Sequence, residues 1–132
     1  MIIGSIFGLH LSTLLLRLAI GTLFMIHGYP KLTAQRKGTG EWLKSMGFSS
    51  TFAGFAGVVE FFGGLALLLG IFTQIVALLS ALWMLSTTWL AKGKMKKKYF
   101  GGYELDITLM LAALALAMLG GGIYSLDFLL GI

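Results

Sequence analysis

Four apolar stretches alternate with polar segments along the chain, over roughly residues 6–27, 52–72, 74–90 and 105–119. Each holds about 15 to 22 residues, close to the ~20 that carry a helix across ~30 Å of hydrocarbon. The last is short unless it extends through Gly120 to Ile123. The second and third meet at Ile71-Phe-Thr-Gln74, which predicts a tight helical hairpin, because one unbroken helix would far exceed the bilayer. The expected fold is all-α, an integral membrane four-helix bundle in a single domain over 1–132. The polar segment from Pro30 to Ser50 is too long for a simple turn. Within it Trp42, Leu43 and Met46 fall at i, i+1, i+4 beside Lys44, predicting a short helix over about 39–48 that lies in the membrane interface. Such a helix serves as an anchor, or as a lid over the mouth of the bundle.

Composition agrees with lipid as the solvent. Apolar residues make up 58% of the chain and charged residues 11%, against roughly 25% charged in soluble domains. There is no cysteine, which excludes disulfides, dithiol redox chemistry and thiolate metal sites. The two histidines, His10 and His27, build no metal site without carboxylates or a second chain. They stand roughly 25 Å apart by helical rise, too far to sandwich one haem within a subunit.

The net charge of +5 takes its meaning from placement. Lys31, Arg36, Lys37 and Lys44 lie between the first two spans; Lys92, Lys94, Lys96, Lys97 and Lys98 lie between the last two. With four spans these loops share one side, which the positive-inside rule makes cytoplasmic, and both termini fall on the non-cytoplasmic side. The expected location is the cell membrane, multi-pass. The lysine run reads first as this topology signal, then as a patch for anionic lipid or an acidic partner, ahead of nucleic acid. No lysine or arginine precedes Arg17, so the start lacks the charged region of a cleavable signal peptide and reads as the first span.

Against this background Arg17 is an anomaly. A guanidinium does not shed its proton, and holding it within a bilayer costs between about 2.5 and 17 kcal/mol depending on the reference. A carboxylate is the expected partner. Counted from His27, Arg17 lies roughly 15 Å deep; counted from Phe52, Glu60 lies roughly 12 Å deep. The matching depths predict an Arg17–Glu60 contact. At 100° per residue Ala53, Ala56, Gly57, Gly63 and Gly64 share the Glu60 stripe, and Gly21, Phe24 and Gly28 share that of Arg17. Small residues on one stripe allow close helix approach, inside the bundle or between copies in a homo-oligomer.

In the fourth span Asp106 shares a stripe with Ala113, Ala117 and Gly120 and is the inward carboxylate by packing, while Glu104 suits the interface or the helix N-terminus. Ser80, Trp83, Ser86 and Thr87 form a weakly polar stripe on the third. Arg17, His27, Glu60, Trp83, Thr87 and Asp106 together predict a polar vestibule open to the cytoplasmic side. It reads either as a staple fixing helix register or as a site for substrate, quinone or protons. Gly120-Gly-Gly122 follows a helix, so it ends the fourth span and does not cradle phosphate. Ser125 and Asp127 then suit the cap of a short terminal turn.

At these residues the chain resembles the DoxX family of small four-helix membrane proteins. The resemblance rests on Arg17-Leu-Ala-Ile-Gly-Thr-Leu-Phe-Met-Ile-His-Gly-Tyr-Pro-Lys31, on Gly57-Val-Val-Glu-Phe-Phe-Gly-Gly-Leu-Ala-Leu-Leu-Leu-Gly-Ile-Phe-Thr73, and on Gly102-Tyr-Glu104 with Gly120 to Gly122 and Ser125-Leu-Asp127. It implies that Arg17, His27, Lys31, Glu60, Glu104 and Asp127 occupy family motif positions, which sets Glu104 beside Asp106 as a site candidate. It also implies kinship with membrane subunits of thiosulfate:quinone oxidoreductase, or with proteins of oxidative-stress complexes and membrane-protein assembly. The leading expectation is a redox-linked subunit needing a partner oxidoreductase, with a quinone headgroup in the vestibule, Arg17 positioning its anionic form and Glu60 accepting a proton. A membrane scaffold and a small-solute transporter are the alternatives. The lack of cysteine argues against covalent sulfur chemistry in this chain.

Overall fold

A computed structural model describes residues 2–132, with side chains from Ser5 onward. Six helices follow in order: α1 (Ile2–Leu32), α2 (Arg36–Ser45), α3 (Phe52–Leu69), α4 (Thr73–Gly93), α5 (Glu104–Leu119) and α6 (Leu126–Leu130). Helix makes up 80% of the structure, and no strand forms among the described residues. α1, α3, α4 and α5, the last with the wide turn at Tyr99–Tyr103 before it, are each long and apolar enough to span a bilayer. The protein is an all-α integral membrane bundle.

α1 is longer than the pattern indicates and does not stop at His27. Pro30 sits in its final turn, where a missing N–H removes only one intrahelical bond, and the chain continues helically to Leu32. The short helix expected over about 39–48 begins about three residues earlier, at Arg36. Its Leu43 is buried, Trp42 is exposed on one edge, and Gly40 lies against the Ser50 carbonyl.

Antiparallel pairs organise the bundle: α1 packs along α3, and α4 packs along α5. Glycine sets the first pair. A Cβ at Gly64 would sit 2.5 Å from the Gly21 carbonyl oxygen, and one at Gly28 would sit 2.5 Å from the Phe61 amide nitrogen. Dispersion is the main attraction between helices in lipid, and it needs this intimacy. Gly21, Gly28, Gly57 and Gly64 therefore serve the α1–α3 contact within the chain. Ile20, Phe24, Leu67, Ala77, Ala81, Met84, Leu109, Ala113 and Leu116 fill the centre where the two pairs meet. Phe7, Leu15, Phe62, Ile75, Leu79, Leu111 and Met118 point outward, an arrangement that is costly in water and free in lipid.

Gly70 ends α3 in the left-handed conformation (φ 73°) and Phe72 precedes α4 with φ 48°. A bulky residue with positive φ is uncommon. Here the Phe72 and Thr73 amides both donate to the Asp127 carboxylate, at 2.6 and 2.8 Å. Asp127 thus caps the N-terminus of α4 rather than the terminal turn; Ser125 alone caps α6, accepting from the Phe128 amide. A carboxylate at a helix N-terminus is favourable.

Candidate functional site

The expected Arg17–Glu60 contact does not form. Arg17 is buried, 1% exposed, and its guanidinium donates to four backbone carbonyls: Nε to Leu67 (2.9 Å), Nη2 to Leu68 (2.7 Å), and Nη1 to Gly121 (3.2 Å) and Tyr124 (2.8 Å). Two of these lie at the C-terminus of α3, where unpaired carbonyls and the helix dipole both favour a cation. The other two belong to the Gly120–Tyr124 loop. Gly121 has no room for a Cβ, which would meet the Ser125 and Thr73 hydroxyls at 2.7 and 2.8 Å. The glycines bring backbone oxygen up to the guanidinium, and together they staple α1, α3 and the terminal loop.

The error in the pairing lies in register. Glycine interlocking matches Gly21 with Gly64 and Gly28 with Gly57, so Arg17 falls opposite Leu68. Glu60 lies about 11 Å further along α3. Arg17 is therefore level with the end of α3 that leads into the α3–α4 hairpin.

Glu60 faces the other way, toward the end carrying the basic loops. It is 4% exposed, and Lys31 Nζ binds it bidentately at 2.7 and 2.6 Å. Trp83 Nε1–H donates to Oε1 at 3.1 Å. A buried carboxylate with both oxygens engaged is tolerated where a bare one is not. Lys31 lies one turn beyond His27 on α1, and its aliphatic stem runs along Gly57.

These groups border a cavity of about 260 Å³. His27, Lys31, Glu60, Trp83, Thr87, Lys97 and Asp106 supply its polar wall, and Phe24, Ala56, Met84, Leu90 and Leu109 much of its apolar one. Thr39, Trp42 and Leu43 of α2 also line it. Its volume lies near the lower bound of small-molecule sites, about 300 Å³. His27 Nδ1 stands 3.3 Å from the Leu23 carbonyl oxygen. Thr87 Oγ1 donates to the Met84 carbonyl.

Of the residues expected in a vestibule, His27, Glu60, Trp83, Thr87 and Asp106 therefore meet at one cavity, and Arg17 does not. Glu104 is not among the cavity residues either; its Oε1 accepts from the Gly101 amide (2.8 Å), closing the wide turn before α5. Packing distinguished the two carboxylates of α5: Asp106 is the inward one. Lys97 and Thr39 had no distinguishing signal, since one sits in a lysine run and the other in a polar loop. Lys31 had one in its i, i+4 spacing from His27, which places both on a single face once α1 continues through Pro30.

The sequence model of the DoxX family matches residues 12–93, the stretch that carries Arg17, Lys31, Glu60 and Trp83. The chain is similar to "Putative oxidoreductase CatD" of Bacillus subtilis, with 32% identity over 117 residues, 89% of this chain and 85% of that protein. It is also similar to "Inner membrane protein YqjF" of Escherichia coli, with 31% identity over 120 residues, 90% of this chain and 92% of the relative. No solved structure matches it. Four apolar spans and an inner-membrane relative together make this a multi-pass protein of the cell membrane, surrounded by lipid. On the family match and both near-full-length similarities, the chain belongs to the DoxX family.

Proposed function

We propose that this protein is the membrane subunit of a redox system and seats a quinone-like ring headgroup in the cavity beside Glu60. One observation carries the reading: a buried carboxylate, held by Lys31 and the Trp83 indole, lines the same small cavity as His27 and Asp106. Reduction of a quinone to the quinol takes up two electrons and two protons. Lys31 and the Trp83 N–H are donors suited to a carbonyl oxygen that gains negative charge. Glu60, Asp106 and His27 are groups of the kind that carry protons within a membrane. In this reading a partner oxidoreductase subunit supplies the electrons; the chain itself has no cysteine to serve as a dithiol donor. The name of the Bacillus relative, "Putative oxidoreductase CatD", points the same way. Arg17 has no part in the site; its donors are taken up by backbone carbonyls.

The test is calorimetric titration of the purified protein in detergent with dimethoxymethylbenzoquinone. Wild type should bind saturably. The paired variant Lys31→Met with Glu60→Gln removes both charges together, so neither is left buried alone, and should bind at least tenfold more weakly while remaining folded. Absence of saturable binding to wild type would sink the proposal.

A scaffold reading keeps one observation of its own. Lys92, Lys94, Lys96 and Lys98 are exposed and lie outside the cavity, forming a basic surface suited to an acidic partner. Reversing charge at Lys92, Lys96 and Lys98 should then abolish partner capture without changing ligand binding.

A further inference from the structure

We infer that the ligand of this cavity is an amphiphile with a long apolar tail, entering sideways from the bilayer and leaving its tail in a groove beside α4. The inference rests on the reading of the cavity as a headgroup site. A second concavity of about 660 Å³ lies between Phe48 and Phe52 on one side and Leu85, Trp89 and Leu90 on the other. Phe52, Trp83, Thr87 and Leu90 border both this groove and the polar cavity. The partition between them is a pair of rings: Phe52 and Trp83 stack with centroids 6.4 Å apart and planes 13° apart. Trp83 turns its N–H toward Glu60 in the cavity and an apolar surface toward the groove.

The helix pairing explains why a portal exists here. α3 is committed to α1 and α4 to α5, so beyond their hairpin α3 and α4 touch little. Aromatic rings fill that seam, with Phe55 also 6.1 Å from Trp83, and rings move by side-chain rotation without shifting either helix. Along α4, Trp83 lies about 15 Å and Trp89 about 24 Å from the hairpin. The groove therefore runs from mid-membrane toward the basic interface, at the depth of lipid tails.

The groove adds no hydrophobic attraction of its own, since lipid is equally apolar. Its role is geometric. A headgroup seated beside Glu60 through any other opening would force its tail into a cavity of about 260 Å³ or out past α2 and the lysines into water. Through the groove the tail never leaves apolar surroundings.

Ser86 borders the groove but not the cavity, and its hydroxyl donates only to the Leu82 carbonyl one turn back. Ser86→Trp fills the groove from the lipid side; Leu85→Trp is a second blocking variant should the first fold poorly. In lipid nanodiscs, binding of dimethoxymethylbenzoquinone with and without a decyl tail is measured for wild type and the blocked variant. Expected is at least a tenfold loss for the tailed probe, with the tailless probe within twofold of wild type. If blocking leaves tailed-probe affinity unchanged, or weakens both probes equally, lateral entry is overturned and the headgroup site stands. If neither probe binds wild type, both readings fall.

Discussion

Replacing Arg17 and Glu60 singly and together distinguishes the observed network from a direct ion pair between them. Arg17→Met takes a donor from four backbone carbonyls; Leu67 still accepts from the Gly70 amide and Gly121 from the Thr13 hydroxyl, so Leu68 and Tyr124 are left unsatisfied, at about 1–3 kcal/mol each. It also relieves the desolvation of one buried charge, an opposing effect of several kcal/mol. Carbonyls, unlike side chains, cannot be removed by a second substitution, so the balance is a net loss of about 1–2 kcal/mol. Glu60→Leu frees Lys31, which is partly exposed and can reach the interface, and leaves the Trp83 N–H unpaired, for about 1–2 kcal/mol. The sites stand about 11 Å apart along α3 and share no partner, so the two losses should add to within about 0.5 kcal/mol. The assay is helicity by circular dichroism in mixed micelles of rising SDS content. A double variant recovering more than about 1.5 kcal/mol of the summed loss would refute the register and restore the direct pair.

Two further outcomes follow from the packing. Gly64→Ala places a methyl 2.5 Å from the Gly21 carbonyl oxygen and should lower stability in the same assay by about 2 kcal/mol; its neighbour Gly63 has nothing within 4 Å, and Gly63→Ala should be neutral or stabilising by up to about 1 kcal/mol. For orientation, the cysteine-free chain suits single-cysteine labelling: in intact cells an impermeant maleimide should modify Ile132→Cys and not Ser45→Cys, and the reverse pattern would place the basic loops outside.

Helix number, the 70s hairpin and the inward face of Asp106 were legible in sequence because each is a local property, set by the length of an apolar run or the angle between neighbours on one helix. Lys31 was harder, since proline made the end of α1 look nearer than it is. The partner of Glu60 was not legible at all. Depth counted from presumed helix ends carries an error of several residues, and at 1.5 Å per residue that moves a charge past one candidate partner and up to another.

Hydropathy and spacing alone determined that this chain lives in lipid as four spanning helices, that Arg17 and Glu60 both face inward, and that polar groups gather toward the basic loops. Tertiary structure decided what each charge is for. Interlocked glycines set how far α1 slides along α3, and that single offset gives Arg17 to the carbonyls of the hairpin end and Glu60 to Lys31 and Trp83 at the cavity. A sliding register is a relation between two helices, settled by contacts between backbones, and neither helix carries it by itself.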